Sequence, residues 1–139
     1  MGLKNNSEDL LATFTVDAIL VRSPITFLSD SIKHNNVILG VIMAGSFIER
    51  FGVKQLEEYF EKKQIPYEFW KINRFSSGTI RQWLFELKLI DEELNCKIEK
   101  VCEHRNEVVH RKHPDTIDKV KTKEIIKIAI ECLKELGAN

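Results

Sequence analysis

Arg105, Asn106 and His110 are the residues of this chain whose types and spacing are best suited to chemistry. A neutral imidazole, whose ordinary pKa is about 6.5, can take a proton from a hydroxyl near neutral pH, and a guanidinium can stabilise charge that grows on phosphoryl oxygens. Together the two groups suit a phosphodiester, and that division of labour needs no metal. Asn106 stands four residues before His110, one helical turn away, where its amide can orient the imidazole and select its tautomer. Arg111, Lys112 and His113 follow at once, a basic run able to hold a phosphate backbone without reading bases.

The element that must carry these groups is a long helix from Asp91 to His113. Asp91 is a good N-cap, and Glu92 and Glu93 place negative charge where a helix N-terminus attracts it. Apolar residues recur at Leu94, Ile98, Val101, Val108 and Val109, and the middle position of that stripe is Arg105. A buried cation is costly without a partner, so Arg105 is expected either in an ion pair or at the edge of a cleft. Glu49 is the candidate partner and is grouped with Arg111, Lys112 and His113 as a substrate-binding residue. Residues five apart on a helix point about 140° away from each other. Arg105 and His110 therefore meet only if the arginine wraps round the helix, or if a second copy brings its own helix across a two-fold axis.

The run Arg105-Asn106-Glu107-Val108-Val109-His110 resembles the signature of HEPN domains: Arg, a polar residue, a few residues and then His, late in a helix of a small all-helical domain. The resemblance implies a homodimer with facing motifs and a metal-independent endoribonuclease that uses the RNA's own 2′-hydroxyl, acting as a toxin or in phage defence. Arg105, Asn106 and His110 carry over to the catalytic positions, no cofactor is implied, and an antitoxin or other regulatory partner is possible. A toxin branch of the family has Tyr two residues after the His. Lys112 stands there, so the modification that branch undergoes is not implied. A HEPN-like module that binds RNA or a nucleotide without cutting it, and a helical interaction protein, are the alternatives.

The rest of the chain reads as further helices. Ser7 caps one bearing Leu10, Leu11, Phe14, Ala18 and Val21, although Thr13 to Val16 also fits a strand. Ser23-Pro24 is the cap and first position of another, with Ile25, Leu28 and Ile32 on one side. From Asn35 or Asn36 the most apolar helix runs through Val37, Val41, Phe47 and Phe51 to Phe60; it should be central, with Gly40, Ala44 and Gly45 small enough for close approach. Between Lys62 and Gly78 the periodicity lapses. There Tyr67, Phe69, Trp70 and Phe75 alternate with Lys71 and Arg74, rings that either stack on single-stranded bases or cover the core. Ser76, Ser77 and Gly78 cap a helix with Ile80, Trp83, Leu84 and Leu87. After a turn at Pro114, a last helix from Thr122 buries Ile125, Ile126, Ala129, Cys132, Leu133 and Leu136 and ends at Gly137. The expectation is a single-domain, all-α bundle of five to six helices spanning 1–139.

Composition narrows the partners. With 21 basic and 21 acidic residues the formal net charge is zero, so RNA contact must come from a local patch, and the balance also suits the interaction-protein alternative. Cys96, Cys102 and Cys132 are odd in number and fall in helical patterns, which suits reduced, buried thiols. No Cys-x-x-Cys pair offers a zinc site. The longest apolar run, Val37 to Ala44, is far short of the roughly 20 residues that span a bilayer, and no signal core stands at the N-terminus, so a cytoplasmic protein is expected.

Overall fold

Serine and aspartate open four of the five described α-helices, each by accepting a backbone N–H that the first turn would otherwise leave unsatisfied. The computed structural model describes residues 23–66, 68, 76–110 and 113–139, and within them there is no strand. Helix α1 is Pro24–Lys33, with Ser23 accepting from the Thr26 N–H and Pro24 in its first position. Helix α2 is Val37–Lys62, entered through Asn35 at φ 57° and Asn36, whose side chain makes no cap bond. Helix α3 is Ser77–Glu86, capped by Ser76. Helix α4 is Glu92–His110, where Asp91 Oδ1 accepts from Leu94 N at 2.8 Å. A short 3-10 turn, Pro114–Thr116, leads to α5, Lys119–Glu135.

Two boundaries differ from the sequence reading. The last helix starts at Lys119 and not at Thr122, because Asp118 is the cap: its Oδ1 accepts from Lys121 N at 3.0 Å. His113 lies outside α4, consistent with the push out of helical geometry on a residue before proline. The C-terminal stop falls at Gly137 as expected. There φ is +96°, a left-handed value that glycine adopts without strain, and Ala138 N reaches back to Leu133 O at 2.8 Å. The helix expected from Ser7 lies outside the described residues, as do Tyr67, Phe69, Trp70, Lys71, Arg74 and Phe75 of the basic loop.

The fold is an all-helical bundle. Helix α2, the most apolar, packs against each of the other four, and α5 packs against α1, α2 and α4. Their shared core takes Leu28 from α1, Val41 and Leu56 from α2, Leu84 from α3, Ile98 and Val101 from α4, and Ile126 and Leu133 from α5. Polar bonds tie the ends: Gln55 Nε2 donates to Leu136 O at 3.1 Å, and the Ser23 hydroxyl donates to the backbone carbonyl of Asn139. Among the described residues no helix is long and apolar enough to cross a membrane.

Gly40 marks the tightest contact of α2 with its neighbours. A Cβ there would stand 2.8 Å from Ile126 Cδ1 and 2.9 Å from Ser31 Cβ, and would collide with the Ser31 hydroxyl. Ser31 is buried with its hydroxyl committed to Leu28 O, and Ile126 is fully buried, so neither side chain can swing clear. Gly40→Ala is expected to cost about 1–3 kcal/mol by overpacking. That exceeds the roughly 0.5–1 kcal/mol that alanine gains over glycine in a helix interior. A lowered urea midpoint is the expected reading; an unchanged or raised one would show that α1 and α5 yield easily.

Candidate active site

Helix α4 touches both α2 and α5, so its buried arc is wider than a single stripe, and two adjacent residues divide it. The position at the centre of the inner face belongs to His104 and not to Arg105. His104 is 6% exposed, flanked on the same side by buried Val101 and Val108, three residues before and four after. Its Nε2 lies 2.8 Å from Thr122 Oγ1, while that hydroxyl donates to Asp118 O at 2.8 Å. The single hydroxyl proton is thus spent on the carbonyl, and the imidazole must donate through Nε2–H. His104 Nδ1 faces Glu107 Oε2 at 3.9 Å. The sequence reading missed this residue, although its spacing from Val101 and Val108 was the signal.

This bond pins α4 to α5. Thr122→Val keeps the shape but removes the acceptor, which leaves a buried N–H unsatisfied at about 1–3 kcal/mol. Thermal melting should fall correspondingly, and Thr122→Ser, which retains the hydroxyl, should lose less. Equal melting of wild type and Thr122→Val would show that the bond holds nothing.

Arg105 takes the other flank, toward α2, and is only partly buried. Its side chain lies across Gly45, whose missing Cβ would fall 2.6 Å from Nη1 and 3.0 Å from Nε. Arg105 Nη2 donates to Asn106 Oδ1 at 3.3 Å, so the asparagine amide is turned toward the guanidinium. Glu49 is one helical turn beyond Gly45 on α2, on the same side. The charges of Arg105 and Glu49 both act on the half-buried Cys102 thiol: burial pushes that thiol up, Arg105 and then Arg81 pull it down, and Glu49 adds to the rise. Gly45, Glu49, Arg81 and Cys102 line one narrow crevice between α2, α3 and α4. Arg81 is held in place there by Asn95 Oδ1 at 2.8 Å, with Glu99 at 4.0 Å.

His110 is exposed on the last turn of α4, and His113 is exposed beyond it. Arg111 and Lys112 lie outside the described residues. The structure therefore brings Arg105 and Asn106 together, sets Glu49 on the helix face where Arg105 rests, and leaves His110 further round α4. Val109, expected in the core, is 55% exposed, because it is turned about 100° round the helix from Val108, which is buried. Cys96 is also exposed rather than buried, while Cys132 sits in the core with burial pushing its thiol up to about 12. All three cysteines are free thiols. On the α5 side of the motif helix a separate cleft of about 180 Å³ is lined by His104, Glu107, Asp118 and Lys121 among others. Among the described residues no group of three or more His, Cys, Asp or Glu is placed to hold a metal ion.

No protein-family model, curated protein or solved structure matches the chain.

Proposed function

We propose that the chain is a HEPN-type, metal-independent endoribonuclease whose site forms where two copies bring the ends of their α4 helices together. The single observation that carries the reading is the state of Arg105. Its side chain lies along Gly45, partly buried, with Nη2 bonded to Asn106 Oδ1, and His110 is exposed little more than a turn later. A guanidinium fixed at this place beside an exposed imidazole is what a phosphodiester site needs.

In the proposed reaction the RNA 2′-hydroxyl attacks the adjacent phosphorus while a neutral His110 imidazole takes its proton. Arg105 stabilises the charge on the non-bridging oxygens, and the P–O5′ bond breaks. The departing 5′-oxygen takes a proton from water. The products are a 2′,3′-cyclic phosphate and a 5′-hydroxyl. Arg111, Lys112 and His113 hold neighbouring phosphates, and Glu49 orients Arg105. A partner copy supplies what one straight helix cannot, since Arg105 and His110 diverge by about 140° within it. Val109, apolar, exposed and adjacent to His110, gives the two copies a contact surface. A cytoplasmic toxin or phage-defence role, held in check by an antitoxin or other regulator, is the biological setting of such an enzyme.

The test is incubation of purified protein with single-stranded RNA in excess EDTA. Cleavage leaving cyclic phosphate ends is the expected result. RNA bound in a salt-dependent way but left intact would assign the groove to binding alone.

A further inference from the structure

We infer that Gly45 is a positioning residue for the Arg105 guanidinium: the side chain absent from α2 leaves a slot in which the arginine lies flat, so the cation is presented from one fixed place.

An arginine at a surface normally sweeps its charge through solvent on four rotatable bonds, and fixing it costs conformational entropy. Here the stem and head are held along their length. Cδ, Nε and Nη1 all lie within 3.0 Å of the point that a Gly45 Cβ would occupy, and Nη2 is bonded to Asn106 Oδ1. Glu49 stands one turn along α2 from Gly45, on the same side of that helix. Any residue larger than glycine at this position fills the slot.

What then moves is the arginine and not the helix. The three atoms nearest to a Cβ built at Gly45 belong to the Arg105 side chain, which is only partly buried. At Gly40 the corresponding atoms belong to buried Ser31 and Ile126. The same substitution five residues apart on one helix should therefore have opposite effects on stability. Gly40→Ala strains the core, whereas Gly45→Ala gains helix propensity and displaces a guanidinium.

The catalytic arm of this inference rests on the ribonuclease reading, and the experiment separates the two. Wild type, Gly45→Ala and Arg105→Ala are compared for melting temperature, for the Arg105 side-chain Nε–H resonance in a nitrogen-15 spectrum, and for kcat and KM on single-stranded RNA. That resonance is assigned by its loss in Arg105→Ala. Gly45→Ala is expected to melt at or above the wild-type temperature and to move the Nε–H resonance toward those of exposed arginines. Its kcat should fall roughly ten- to a hundredfold, the effect of misplacing a catalytic group by about 1 Å. A resonance that stays in place overturns the slot. A displaced resonance with unchanged kcat overturns the positioning role. Wild type that leaves RNA intact overturns the ribonuclease reading instead, and the slot then stands or falls on the resonance.

Discussion

Arg105→Ala and His110→Ala should each lower the single-turnover rate of RNA cleavage by two to four orders of magnitude, with the helical circular dichroism spectrum unchanged. A positioned general base contributes about 10²–10⁴ in rate, and a donor aimed at transition-state charge about 10²–10³. Neither side chain belongs to the core: His110 is exposed, and Arg105 is half-buried with its polar end bonded to Asn106. Loss of the arginine stem from Gly45 removes some packing, so its melting temperature should drop by a few degrees at most. The double variant should be little slower than the worse single one, since groups acting on one transition state do not add. Asn106→Ala should fall between wild type and these two, because it loosens the guanidinium without removing it. Wild-type rates in both single variants would detach the chemistry from this motif.

Leu133→Ala should destabilise the fold by about 2.7–5 kcal/mol, the cost of removing a buried leucine side chain and leaving a cavity. Leu133 is fully buried on α5, a helix that packs against α1, α2 and α4, so several elements would have to shift together to close the void. For a chain of this length a loss of about 3 kcal/mol lowers the melting temperature by roughly 10 °C. Calorimetry measures it directly. A loss under about 1 kcal/mol would mean that the core around α5 collapses onto the gap, contrary to the packing described.

Among the described residues, three helices were legible from a short polar side chain that precedes an apolar run. Ser23, Ser76 and Asp91 cap the helices assigned to them, and the central place of Val37–Lys62 follows from its apolar content. The start of α5 was not legible from the apolar series, which begins in earnest at Ile125. Thr122 resembles a cap in sequence, but it is buried in the first turn and returns its hydroxyl to Asp118 O. The placement of the candidate site residues was only partly legible. One stripe of helical period makes Arg105 the inner residue of α4, yet a helix packed against α2, α3 and α5 buries a wider arc, and His104 takes the centre while Arg105 moves to the flank. Val109 and Cys96 are exposed because they are turned away from the face that carries Leu94, Ile98, Val101, His104 and Val108. Gly45 was recognisable as a point of close approach. That an arginine side chain, and not another helix backbone, would occupy it depends on the α2–α4 contact, which no local pattern encodes.

The pairing of Arg105 from one copy with His110 from another is best tested by co-expressing Arg105→Ala and His110→Ala chains under different tags and purifying the mixed dimer through both. In such a dimer one of the two composite sites has both groups and the other has neither. The mixed dimer should therefore recover about half the wild-type cleavage rate, although each parent homodimer is inactive. A mixed dimer as inactive as its parents, or chains that only ever purify as monomers, would contradict a site shared between two copies.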